Sequence, residues 1–206
     1  VSVEAEKLDG VEPRLVALFT VVACIATAAA AIQVEMGPLF ALPIVGSATV
    51  ALLAWLKTSF RRPGEPARGT VLYIAAIVAL MLEHATQWRS RAPDLVMQVA
   101  RGWVAPGFVF NERTLVVVFA IGSPALFLLG GFFLVRGRPV GDYMAWLLFV
   151  WSLVAGVFQG VLALQLPDAL GIATATAACL PSLILGALGA WRLASFSGAL
   201  PEPVKP

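Results

Sequence analysis

One histidine, His84, two cysteines and few charges are all that this chain of 206 residues offers to ordinary site chemistry. Asp, Glu, Lys and Arg make up 13% of it, and hydrophobic residues 60%. A soluble domain carries about 25% charged residues, so the composition excludes that class. A single histidine excludes a bis-histidine haem site. Cys24 and Cys179 both fall inside apolar runs, with no CxxC, zinc spacing or haem-attachment signature around them. They read as small packing residues, and the sequence sets no distance for a disulfide between them. There is no phosphate loop, GxSxG or HExxH. The net charge of +2, with no Lys/Arg cluster, excludes nucleic acid as a partner.

What the chain has instead is long apolar runs. A spanning helix needs about 20 mostly apolar residues, and six runs qualify: 14–33, 38–57, 69–88, 114–135, 143–164 and 169–192. None alternates as a strand of a membrane barrel does. The expected fold class is therefore all-α: a polytopic membrane protein, a bundle of six transmembrane helices. Residues 1–13 form an N-terminal segment, 14–192 the transmembrane domain and 193–206 a Pro-rich tail. The opening "VSVEAEKLDGVEPRL" is acidic and lacks the basic start and cleavage site of a secretory signal, so the first run counts as a true span.

Six spans put both termini on one side. That side collects Lys7, Arg14, Lys57, Arg61, Arg62, Arg68, Arg136, Arg138, Arg192 and Lys205, and the other collects Arg89, Arg91, Arg101 and Arg113. The split of ten to four uses every basic residue. The positive-inside rule then places both termini in the cytoplasm of a protein of the cell inner membrane. Two outer loops, near Glu35 and Asp168, carry no basic residue. The third outer loop, roughly 89 to 113, is the longest. Its "PDLVMQVARGW" starts as a helix does, at Pro93 and Asp94, and spaces Leu95, Val99 and Trp103 at four residues. A short interfacial helix lying on the membrane is one reading, and a loop capping the bundle is the other. Asn111 is placed to cap the fourth span.

Pro124 and Pro181 fall within spans and are expected to kink them. Gly156 and Gly160 form a GxxxG in the fifth span, and Ala23, Ala26, Thr27 and Ala30 form a small-residue face on the first. Small residues let helix backbones approach closely in lipid, so these read as packing seams.

The stretch "ALMLEHATQWRSR" places Glu83 and His84 at the end of an apolar run. From Thr70 to Leu82 the run covers only about 20 Å at 1.5 Å per residue, against a hydrocarbon layer about 30 Å thick. The helix must therefore continue through Glu83, His84 and Gln87 to Trp88, whose ring suits the interface. Glu83 and His84 then lie below that ring, where an ionisable group needs a partner, water or the bundle interior. Gln33 and Glu35 on the first span and Gln159 on the fifth reach similar depth. Gln33, Glu35, Glu83, His84, Gln87, Trp88 and Gln159 together make a candidate ligand-binding cluster. The same residues read more simply as a hydrogen-bonded plug holding the helices together, or as groups exposed at a thinned bilayer edge.

A quinone, a lipid or a pigment fits a polar cluster with apolar walls, and the sequence selects no cofactor among them. Glu35, Glu83 and His84 make a poor metal set, and no metal is expected. The inner half of the spans lacks the polar groups of an ion path. The favoured function is non-catalytic: an accessory or structural subunit of a larger membrane complex. Its expected partners are membrane lipids and either another protein or a second copy of itself. The alternatives are a membrane enzyme acting on a lipid-like substrate through Glu83 and His84, and a small oligomeric transporter. The topology has its own test. A reporter fused to the C-terminus is expected to be active in the cytoplasm, and one inserted within 93–103 on the opposite side. A C-terminal reporter active outside removes the arrangement.

Overall fold

A computed structural model describes residues 12–36, 38–60, 66–89, 121–165 and 172–197, with side chains at 13–31, 42–60, 70–82, 121–158, 160–161 and 179–195. The described residues form six helices and no strand: α1 (Glu12–Met36), α2 (Pro38–Lys57), α3 (Pro66–Arg89), α4 (Ser123–Val135), α5 (Pro139–Gln165) and α6 (Ile172–Ser197). Two stretches, Pro13–Ala31 and Pro139–Phe158, are long and apolar enough to cross a membrane. Shorter apolar helical stretches are Leu42–Lys57, Thr70–Leu82, Ser123–Val135 and Cys179–Ser195. Residues 114–120 of the expected fourth span and the expected interfacial helix at 93–103 lie outside the described residues.

α5 is the axle. From Tyr143 to Val150 every residue except Leu147 is buried, with Leu148 and Phe149 at 0% and 1% exposure. A helix apolar and buried around its whole circumference needs neighbours on every side. α1 is the opposite case, with only 11% of its apolar stretch buried against 56% for that of α5. Its buried contacts come from Ala17 and Val21, and the small-residue face at Ala23, Ala26, Thr27 and Ala30 is exposed.

The approach to α5 is made by glycines on its neighbours. A Cβ on Gly189 of α6 would run into the ring of Phe149, and one on Gly186 would lie 2.8 Å from the Phe149 carbonyl oxygen. On α5 itself, a Cβ on Gly156 would stand 2.7 Å from Leu183 Cγ and 3.2 Å from the Cys179 carbonyl oxygen. Residues late in α5 thus meet residues early in α6, so the two helices are antiparallel. On Gly160 a Cβ would meet no described atom within 4 Å. On the other side, Gly130 of α4 faces Met144 and the Tyr73 hydroxyl, and Gly141 sits against the Leu134 backbone.

The α4–α5 hairpin has a readable stop signal. Gly137 takes φ 63°, the left-handed conformation that favours glycine. Gly137 N–H donates to Leu134 O at 3.0 Å and Arg138 N–H to Phe133 O at 3.0 Å, the paired bonds of a Schellman ending. Pro139 then opens α5, where its missing N–H costs nothing. Pro124 does not lie in mid-helix as described. It is at the first turn of α4, next to a single wide turn at residues 121–122. Pro181 lies inside α6 and faces outward.

Alanine substitutions are expected to rank by what the new methyl meets. Gly189→Ala must displace a packed ring and should cost about 1–3 kcal/mol. Gly156→Ala meets the branch of Leu183 and, at 3.2 Å, the Cys179 carbonyl oxygen, and should cost less because the contact is looser than the one at Gly189. Gly160→Ala should be neutral or slightly stabilising, since glycine inside a helix is less favourable than alanine by roughly 1 kcal/mol. Thermal unfolding in mild detergent measures the order, and a Gly189 variant as stable as the parent rejects it.

Candidate functional site

The seven residues expected to form the outer cluster sit on three helices. Gln33 and Glu35 lie near the C-terminal end of α1, and Gln159 lies on α5. α3 continues unbroken past Leu82 through Glu83, His84, Gln87 and Trp88 to Arg89. The side chains of all seven lie outside the described residues. Among described residues, no group of three or more His, Cys, Asp or Glu is placed to hold a metal. Cys24 is exposed, Cys179 is half-buried, and neither is in a disulfide.

The polar and aromatic cluster whose geometry is described lies at the other end of α5. It joins the last turn of α2 to the first turns of α5. Trp146 Nε1 donates to Thr58 Oγ1 at 3.0 Å, and Thr58 Oγ1 donates to Ala54 O at 2.7 Å. The Trp55 ring packs edge-on to Phe60 at 5.0 Å and to Tyr143 at 5.8 Å. The Tyr143 hydroxyl points to Ala48 O at 3.5 Å, a long contact for an O–H donor. Phe60 N–H reaches back to Trp55 O at 2.9 Å, which closes the end of α2 and brings the two rings together. The two rings thus meet across the hydrogen bond that ends the helix.

Charge collects around this cluster. Arg14 of α1 lies within electrostatic reach of Asp142 in the first turn of α5. Lys57 precedes the Thr58 contact, and Arg136 and Arg138 flank the turn into α5. The Arg136 guanidinium stacks over the Phe132 ring at 4.0 Å, keeping its stem on apolar surface. Arg192 follows Gly189 by three residues on α6. Since α6 runs antiparallel to α5 and Gly189 meets Phe149, Arg192 comes toward the same end of the bundle as Arg14, Lys57, Arg136 and Arg138.

A third polar contact ties α3 to α4. The Tyr73 hydroxyl donates to Phe127 O at 2.6 Å, in a position 1% exposed. Gly130 and Gly131 leave room for the ring, since a Cβ on either would stand 2.6 Å from the Tyr73 oxygen or 3.1 Å from its Cε1. Tyr73 also packs edge-on against Phe149, centroids 6.4 Å apart.

These contacts brace helices. Among the described residues they present no nucleophile beside a base. Sequence reading missed this end of the molecule. The signals present were "WLKTSF" and "GDYMAW", each placing tryptophan within a few residues of a hydroxyl or carboxylate. No family model matches the chain, and no match is found among the curated proteins or the solved structures.

Tyr73 gives a test of bracing. Tyr73→Phe removes one hydrogen bond and should cost about 1 kcal/mol. Tyr73→Ala also opens a cavity beside Phe149 and should cost about 3–5 kcal/mol. Equal losses of thermal stability in the two variants would mean that ring packing contributes nothing.

Proposed function

We propose that the chain is a six-span protein of the cell inner membrane, with both termini cytoplasmic, serving as a non-catalytic accessory subunit of a larger membrane complex. The observation that carries the membrane reading is the apolar coat. Large apolar side chains are exposed on all six helices, among them Phe19, Leu42, Val71, Phe132, Phe158 and Trp191. In water such a coat would be a severe aggregation liability. In lipid it is the expected surface. The basic end around Arg14, Lys57, Arg136, Arg138 and Arg192 supports the cytoplasmic assignment.

The outer pocket of Gln33, Glu35, Glu83, His84, Gln87, Trp88 and Gln159 is supported by helix register. In a six-span topology α1, α3 and α5 run the same way. Tyr73 of α3 and Phe149 of α5 are in contact. Ten residues further on, about 15 Å at 1.5 Å per residue, come Glu83 and Gln159. On α1, Arg14 lies within electrostatic reach of Asp142 in the first turn of α5, and Gln33 and Glu35 lie near the far end of the same helix. We infer from this register that the three helices carry carboxylates and amides to a similar depth, where a polar headgroup of a quinone, lipid or pigment would have donors and acceptors to meet. The subunit reading rests on the exposed Ala23, Ala26, Thr27 and Ala30 face of α1, which suits a close helix partner in lipid. A membrane enzyme using Glu83 and His84 is the second reading, favoured by the same convergence.

Purification in mild detergent separates the two. A subunit copurifies with a stable partner, and a protein isolated alone rejects that role. Glu83→Gln then tests the pocket. If the cluster only braces helices, the amide keeps a hydrogen bond and removes a costly charge, so thermal stability should hold or rise. If the pocket binds a headgroup, the variant should fold like the parent and lose its bound small molecule, read by mass spectrometry of the purified protein.

A further inference from the structure

We propose that the last turn of α2 encloses a water molecule, accepting a hydrogen bond from Trp55 Nε1 and bonding to Ser59 Oγ. Both atoms are buried, and neither has a protein partner. Trp55 is 0% and Ser59 8% exposed. They are four residues apart on a turn held shut by the Thr58 N–H bond to Ala54 O and the Phe60 N–H bond to Trp55 O. Residues four apart on a helical turn share a face.

The chemistry of the two groups selects the occupant. Indole Nε1 is only a donor, whereas a hydroxyl both donates and accepts. The bridging atom must therefore accept from the indole, while the hydroxyl is able to donate to it or to accept from it. Neighbouring hydroxyls are already engaged: Thr58 Oγ1 accepts from Trp146 and donates to Ala54 O, and Tyr143 points to Ala48 O. Complete burial of Trp55 behind Phe60 and Tyr143 excludes a headgroup or any other large ligand. An anion is disfavoured because a buried charge needs a paired countercharge. Water is neutral, small and able to make two to four bonds, which is how buried polar groups otherwise left unpaired are usually satisfied. The site lies beside exposed Lys57, within the basic rim, where water is near.

Ultraviolet resonance Raman spectroscopy of the whole protein in detergent reads the indole N–H directly. The spectrum of the parent minus that of Trp55→Phe isolates Trp55. The expected result is a hydrogen-bonded indole, shifting toward the unbonded position in Ser59→Ala. An unbonded Trp55 in the parent, or no shift in Ser59→Ala, overturns the proposal. If Trp55→Phe fails to fold, a structure of the parent at a resolution that places waters decides. A water within hydrogen-bond distance of both atoms supports the bridge, and a protein atom filling that space overturns it.

Discussion

α5 is buried on all sides between Tyr143 and Val150, and every other helix has to approach it. An ordinary interhelical distance is 8–10 Å, set by the side chains at the contact. Around α5 those side chains are reduced to hydrogen at Gly130, Gly186 and Gly189, and α5 contributes Gly141 and Gly156 from its own side. The gain is dispersion contact between backbone and large rings such as Phe149 and Tyr73. In lipid that contact is a principal force holding helices together, because apolar burial between helices is no more favourable than burial in lipid chains. The glycines are thus the condition for the bundle as well as a feature of it.

The polar contacts follow from the same geometry. Tyr73 reaches the Phe127 carbonyl only because Gly130 and Gly131 clear its path. A helical carbonyl already accepts from its own helix, so the tyrosine uses a second lone pair and leaves the α4 ladder intact. At the start of α5 the same economy recurs. Thr58 serves as both acceptor for Trp146 and donor to Ala54, so a single side chain links α2 to α5 with nothing unpaired. Among the described residues, the buried Trp55 Nε1 and Ser59 Oγ depart from this pattern, and they do so together on one turn.

How much of this was legible in the sequence depends on which physical quantity carried the information. Helix existence was, because apolar run length is a local property: residues 38–57 gave α2 as Pro38–Lys57, and 143–164 fell within α5. Ends were less so. α5 begins at Pro139 because the Gly137 turn stops α4 there, a signal carried by "RGRPV" and outweighed by the search for apolar length. Glycine contacts were hardest. Gly156 and Gly160 share a motif, but only Gly156 has a described neighbour within 4 Å. Gly186 and Gly189, three apart in "LGALGA", press hardest on Phe149. A spacing motif says that two residues share a face, and it does not say what that face meets.

The outer cluster shows the same limit from the other direction. Depth along a helix is additive, at 1.5 Å per residue, so the Tyr73–Phe149 contact and a residue count set how far along their helices Glu83 and Gln159 come. Rotation about the helix axis is not fixed that way, because it depends on which neighbour each face packs against. On α3 the residues toward the core are Tyr73, Ala76, Ile77 and Leu80, at the three-and-four spacing of one face. Continuing that spacing from Leu80 reaches Glu83 and His84 next, then Gln87. Those positions extend the sequence spacing of the face that buries Tyr73 against Phe149. The proposed cluster therefore rests on that spacing and on helix length, both of which are properties of the sequence, and the packing of α3 on α5 is what gives the spacing a direction to be tested.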